Sequence, residues 1–524
     1  MVGSDANDGL SKATPWLTAN KALTTVIGST FDGDELKFND GRYIYTDTGG
    51  RCIFSHVGFS INFENSWLTT LVFDGAENQG LRFNGSNSQA RTFSIGNAVL
   101  EASDNKREVF YCKNDSLTSE LMTLNWGARF NVLPTALDGQ IGFYLAASYI
   151  VLTIDNGGHT GVAGKYRPFL MDNAIGVIQI DIDIKRWLFD LTCEIEVTKT
   201  GAFEIAHGAA NAAGRVSVRG VTGSITDTGI SSVIYGVHIR NGPNESSITN
   251  CNDFHIESAN RNVCPFVIDA PTLDGIGCDD AVIGHNVRVT ADSLDGFLAV
   301  MGGEFEQHDL PRGVIENNEI RAVNTYGQAM HGICHIDCLD GIRRFNKVSG
   351  ASLGSLTKLG TAISYGNTYT NVGGYFNKFL YAKGADAGAE FFDEICVIDR
   401  LDYDGVIEQS TRDIDTDKPS GLVSFRGNRI MKSGSGSIAS AAILNQTGTS
   451  TDPSESTTYG LTIDPGLTLP AVVAKYQGAN YATIADANAS ATITAMAQNE
   501  AAELTVVSSG ILGPVIRPLL NFGG

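Results

Sequence analysis

Six short segments carry the reading of the fold: Ser247-Ile248-Thr249-Asn250, Val282-Ile283-Gly284-His285-Asn286, Val314-Ile315-Glu316-Asn317-Asn318, Arg344-Phe345-Asn346, Ile363-Ser364-Tyr365-Gly366-Asn367 and Phe425-Arg426-Gly427-Asn428. Most are a few strand-forming residues closed by an asparagine, and successive closing asparagines lie 36, 32, 28, 21 and 61 residues apart. A second kind of strand precedes several of them, at Tyr235-Gly236-Val237, Asp274-Gly275-Ile276, Asp295-Gly296-Phe297 and His331-Gly332-Ile333. Recurrence at intervals of this size is the mark of a solenoid, with the shortest interval close to one bare coil and the longer ones carrying loops. Parallel strands stacked about 4.8 Å apart would bring the asparagines into register. Their amides would then bond along the stack and hold the bend between strands. Cys334, Ile336 and Cys338 alternate as inward residues of a packed coil should, which turns His331, His335 and Asp337 outward.

Composition agrees with many strands joined by many turns: 59 glycines but 13 prolines among 524 residues, and 42% hydrophobic residues. Acids outnumber bases 58 to 37, a formal charge of −21. A polyanion is repelled by nucleic acid and by anionic lipid, so neither is an expected partner. No run approaches the roughly 18 apolar residues of a membrane span, and Met1 to Leu10 lacks the pattern of a signal peptide. The nine cysteines are scattered and include no Cys-x-x-Cys pair, which reads as free thiols made in a reducing cytoplasm.

At the N-terminus, Gly3-Ser4-Asp5-Ala6-Asn7-Asp8-Gly9-Leu10-Ser11 is a turn-rich run, and Thr14-Pro15-Trp16 follows. Thr18 is placed to cap a short helix that presents Leu23, Val26 and Ile27 on one face. Gly33-Asp34-Glu35-Leu36-Lys37-Phe38-Asn39-Asp40-Gly41-Arg42-Tyr43 then reads as a half-buried strand and a turn. Together these residues resemble the start of right-handed parallel β-helix proteins, pectate-lyase-like in fold and common among phage tailspikes and polysaccharide-degrading enzymes. The resemblance covers about the first 45 residues. It implies an all-β, right-handed parallel β-helix whose N-terminal helix caps the first coil. Members of that family usually carry a short strand before the Gly-Ser-Asp turn, where Met1-Val2 stand here, so an anchoring domain is expected upstream.

Three regions are expected: cap and first coil over 1–45, β-helix over 46–436, and a C-terminal region over 437–524. That last region holds two bases, Lys475 and Arg517, and six acids, about half the charge density of the chain. Such a surface suits a subunit interface, or a small β domain packed on the end of the solenoid. Since tailspikes are generally trimers, the resemblance implies a homotrimer.

A β-helix interior is solid, so chemistry belongs on its outer face or between chains. Glycoside hydrolysis uses two carboxyl groups roughly 5 to 9.5 Å apart. Glu304 and Glu306, two apart on an extended segment, would share a face about 7 Å apart, with His308, Asp309 and Arg312 beside them. By repeat register the next coil carries His331, His335 and Asp337. The expected catalytic set is therefore Glu304, Glu306 and Asp337, with His308, Asp309, Arg312, His331 and His335 as sugar contacts. A solvated acidic loop is the bland reading of the same residues. Tyr365, Tyr369, Tyr375 and Tyr381 alternate between core and possible sugar-stacking positions. No cofactor or metal is expected, and there is no phosphate loop or HExxH. The expected function is that of a tailspike-like receptor-binding protein on a virion tail, which binds and depolymerises a bacterial surface polysaccharide. A non-catalytic adhesin and a free polysaccharide lyase are the alternatives.

Overall fold

The computed structural model describes residues 4, 6, 17–27 and 34–46, then 52–268 apart from short gaps at 56, 66, 76–78, 87, 104–105, 115–119, 148, 174–178, 197–200, 208–212, 231–233, 241–244 and 259–262. From there it describes 280–292, 297–302, 310–322, 331–351, 353–370, 372, 377–380, 388–398, 405–410, 422–426, 428–432, 442–447, 456–459, 462–463, 474–476 and 479–481. The chain divides into two compact units, Met1–Cys278 and Asp279–Gly524.

The first unit begins with the expected helix, Ala19–Ile27. Thr18 caps it, its Oγ1 accepting from the Lys21 amide at 3.2 Å. Ala19, Ala22, Leu23 and Val26 are buried. Asn20 ties the helix to the first coil, since Oδ1 accepts from the Thr46 amide at 2.6 Å and Nδ2 donates to the Thr46 carbonyl.

Each coil then contributes three short strands. Asp34–Phe38, Gly41–Thr46 and Cys52–Phe54 form the first coil, and Gly58–Phe63, Thr69–Asp74 and Gln79–Asn84 the second. All three pairs are parallel, with Leu36 opposite Ile61, Tyr43 opposite Leu71 and Phe54 opposite Phe83. The stacking continues through the unit in three rows, and this is a parallel β-solenoid. Because register is kept, like residues stack on like. Phe110, Phe143, Phe169 and Phe203 form one inward column, with centroid spacings of 4.8, 4.8 and 4.0 Å. Trp126 and Trp187 fill the space across from it at 4.8 and 5.4 Å. His159 takes an inward place too, stacked on Phe130 at 4.7 Å with its Nδ1 3.2 Å from the Tyr166 hydroxyl. Burial pushes its pKa well below the usual histidine value, so the ring is held neutral.

The second unit is also a parallel β-solenoid, but its bends are held by polar side chains. Asn318 donates from both its backbone amide and Nδ2 to Asn346 Oδ1, at 3.1 and 2.9 Å. Asn346 repeats the pattern on Asn367 Oδ1, at 2.9 and 2.8 Å. The expected ladder is therefore present at Asn318, Asn346 and Asn367. The long gap that follows holds one more rung, with a different residue. Glu394 lies 27 residues after Asn367 and 34 before Asn428; its Oε1 accepts from Asn367 Nδ2 at 3.0 Å, and its amide donates to Asn428 Oδ1 at 3.0 Å. A carboxylate oxygen accepts the bond that an amide oxygen accepts elsewhere, so the stack is unbroken. Asn250 corrects the sequence reading. It is exposed and left-handed (φ 50°), in the class of Asn317, Phe345 and Asp393, whereas the buried residue after it is Cys251. The side chain of Asn286 lies outside the described residues.

Parallel stacking runs past the composition change at Ser437. Ala442–Thr447 pairs with Gly405–Ser410, Ser456–Tyr459 with Leu422–Arg426, and Ala474–Tyr476 with Ala442–Thr447. The strand Ala479–Tyr481 then turns back antiparallel. The eight described cysteines are buried thiols, none of them in a disulfide.

Candidate functional site

In the first unit the bend between the first and second strand rows builds an open groove. The register Ile95–Trp126–Ile154–Ile184–Val218–Ile248 runs through six successive coils. Just beyond those residues stand Asn97, Gly127, Asn156, Arg186, Gly220 and Asn250. Five steps of about 4.8 Å make this corner roughly 24 Å long. The cleft along it has a volume of about 530 Å³ and is lined by Asn97, Asp155, Asn156, Lys185, Arg186, Arg219, Gly220 and Asn250.

The corner is rigid because the backbone ladder turns it without a break. Gly127 N donates to Ile95 O, Gly157 N to Arg186 O, Trp187 N to Gly220 O and Gly220 N to Thr249 O, at 2.8 to 3.2 Å. Gly220 is required at its position. Its φ is +63°, and a Cβ there would stand 2.6 Å from the Lys185 carbonyl oxygen. Without a side chain at 220, the Lys185–Arg186 backbone packs directly against it.

The groove is polar, and its one lining acid, Asp155, and the Asp183 beside it each pair with a lining cation. Lys185 Nζ binds Asp155 Oδ1 at 2.6 Å, and Arg219 Nη2 binds Asp183 Oδ1 at 2.5 Å. At one end, the Arg129 guanidinium lies over the Trp67 ring at 4.2 Å and donates to Asn156 Oδ1 at 3.1 Å. Desolvation lowers the pKa of Arg129, and the ring face offsets part of that penalty for the charge. Trp67 is itself left-handed (φ 69°) and is tied by its amide to the Asn97 carbonyl at 3.1 Å. Amides, guanidinium groups and an aromatic side chain thus stand together on a long open corner, a surface of hydrogen-bond donors and acceptors. Among the described residues, the lining of the groove includes one carboxyl group, that of Asp155, and no pair.

The site residues expected from the sequence fall elsewhere. Glu304, Glu306, His308 and Asp309 lie outside the described residues. Arg312 lies on the strand Leu310–Ala322, and His331 and Asp337 on His331–Arg344, with their side chains outside the described set. In register, Arg312 stands opposite Asp340. His335 is corrected: its side chain is fully buried, next to the equally buried Cys334, rather than turned outward. The strict alternation assumed for that strand fails there. Burial, then the nearby Arg343 charge, push the His335 pKa well below its usual value. It therefore serves the coil interior and not a sugar-facing surface. Tyr369 is likewise buried, with its hydroxyl donating to Glu394 at 3.2 Å, while Tyr365 is exposed; Tyr375 and Tyr381 lie outside the described residues. Among the described residues no cluster of three or more His, Cys, Asp or Glu could hold a metal ion. No described helix is long and apolar enough to cross a membrane.

Sequence reasoning missed the groove because its residues come from six separate coils. The residues at the ends of the first-row strands, Gly96-Asn97, Asp155-Asn156, Lys185-Arg186, Arg219-Gly220 and Thr249-Asn250, share no common pair that could have signalled it.

Fold and groove together define a parallel β-solenoid with a polar corner running along its stacking direction. No family model matches the chain, and comparisons with curated proteins and with solved structures return no match.

Proposed function

We propose that the chain is a polysaccharide-binding solenoid of the tailspike kind, holding an extended glycan along the corner from Asn97 to Asn250. The observation that carries this reading is the groove itself: roughly 24 Å long, polar, rigid in its backbone, and supplied with amides and guanidinium groups at coil spacing. A glycan chain presents hydroxyls at a similar period, and side-chain amides can both donate to them and accept from them. Binding is the activity this groove supports, because Asp155 and Asp183 are each held by a cation. The same proposal extends to a homotrimer on a virion tail that recognises a bacterial surface polysaccharide. That part rests on the resemblance of residues 1–45 and on the charge-poor region 437–524.

The test is a screen of the full chain against immobilised bacterial capsule, exopolysaccharide and O-antigen preparations. At least one should be retained, and Asn156→Ala together with Asn250→Ala should weaken its binding roughly tenfold or more. Failure to retain any glycan would overturn the reading. Gel filtration of a retained glycan after incubation separates binding from cleavage. Shortened chains that disappear in Glu304→Gln would restore the depolymerase assignment.

A further inference from the structure

The groove concentrates positive charge on a chain whose formal charge is −21. Three of its eight lining residues are cations, Lys185, Arg186 and Arg219, against the single acid Asp155. Lys185 and Arg219 are paired with carboxylates. Arg186 is exposed and makes no ion pair among the described residues. Arg129, at the edge of the groove, also has no carboxylate partner among the described residues, and is held by the Trp67 face and by Asn156 instead.

The two arginines stand on coils two apart. Arg129 opens the second-row strand of its own coil, Arg129–Val132. The first-row strand of that coil ends at Trp126, one coil before Ile154 and two before Ile184, which lie two residues ahead of Asn156 and Arg186. The two backbones are thus about two coil steps apart along the stack, roughly 10 Å, with Asn156 on the coil between them. A pyranose advances an extended chain by a distance close to one coil step, so two coil steps match a disaccharide. Guanidinium is the side chain that grips carboxylate, sulfate or phosphate through paired hydrogen bonds. Arg186 is exposed, so its head group is open to solvent.

We propose that the groove selects glycans bearing an acidic group on alternate sugars, with Arg129 and Arg186 as successive anion clamps and Asn156 contacting the neutral sugar between them. The inference rests on the polysaccharide reading above and adds the charge and the repeat of the ligand.

The experiment uses the full chain on an array of bacterial polysaccharides that are neutral, acidic on every sugar, or acidic on every second sugar. The last group should be retained most strongly. Conversion of the carboxyl groups of a retained glycan to primary alcohols should weaken binding at least tenfold, as should Arg186→Ala. Arg129→Gln should do the same, and Arg129→Lys should recover part of the loss. Because Arg129 is partly buried, each variant is first shown to melt as the parent does. Arg215→Ala, which breaks an outward pair with Asp181 outside the groove, should leave binding unchanged. A neutral glycan bound as tightly, or full binding after carboxyl reduction, would overturn the charge assignment and leave the polysaccharide reading standing. Preference for acid on every sugar would overturn the spacing. An array with nothing retained would remove the polysaccharide reading itself.

Discussion

The two units solve the same packing problem with different interiors. In Met1–Cys278 the coils are filled mostly by rings and aliphatic chains, with Lys106, Glu204 and Asp227 among the buried polar exceptions, and the one fully buried histidine described there, His159, behaves as another ring in the stack. In Asp279–Gly524 the interior keeps Arg343, Glu394, His335, Ser355, Thr357 and the amide ladder out of water. Arg343 donates to Thr357 Oγ1 at 2.7 Å, lies over the Phe391 ring and interacts electrostatically with Glu394. Glu394 in turn accepts from Ser364, Asn367 and Tyr369. Stacked coils need only that inward residues repeat in register. Ring stacks meet that need without direction, through dispersion and burial, whereas amide ladders meet it directionally, through bonds that exist only in the correct register.

The comparison can be broken by substitution. Phe143→Ala removes a ring that contacts Phe110, Trp126, Phe169 and Trp187. It should cost about 3–5 kcal/mol in denaturant unfolding of the first unit; a loss below about 1 kcal/mol would mean that the ring column is not what holds those coils. Glu394→Gln keeps the shape but leaves the buried Arg343 without its countercharge, and about 3 kcal/mol should be lost from the second unit. An unchanged midpoint would show that the ladder tolerates a neutral rung.

Gly220→Ala tests the bends, where both units use left-handed residues, Gly220 and Asn250 in the first and Asn317, Phe345, Gly366 and Asp393 in the second. With a Cβ 2.6 Å from the Lys185 carbonyl oxygen, it should cost about 2 kcal/mol. A neutral result would mean that the corner yields easily.

Acid should act on both units to a similar degree. His159 and His335 have pKa values lowered by burial, so the unfolded chain takes up protons first as pH falls. Their contribution to stability is full above the unfolded value near 6.5 and declines below it, by about 1.4 kcal/mol per pH unit for each histidine. His159→Phe should flatten the decline between pH 6.5 and pH 5 for the first unit alone. If the slope in that unit persists, another group is responsible.

How much was legible differs between fold and site. The amide ladder could be read from sequence because its residues sit in a repeating local pattern; Asn346 and Asn367 announce themselves by what precedes them. The 61-residue gap concealed Glu394, since a carboxylate substitutes for an amide only where its second oxygen and its charge also find partners. Asn250 was misassigned by one position. Bend geometry decides which of two adjacent residues turns inward, and a short motif does not encode that. His335 was turned the wrong way for a related reason: strict alternation gives way within His331–Arg344, where the register shifts between Cys338 and Gly341.

Strand length, inward apolar character and frequent turns are local properties, and the amino-acid order alone was enough to declare a coil of stacked parallel strands with a helix at its start. The groove is a different kind of fact. Trp67, Asn97, Arg129, Asn156, Arg186 and Asn250 are spread over more than 180 residues of chain and share no motif, and only the stacking distance and the register of the coils bring them onto one edge. Their common placement depends on loop lengths and bend conformations summed over several coils, a quantity that only the folded structure evaluates.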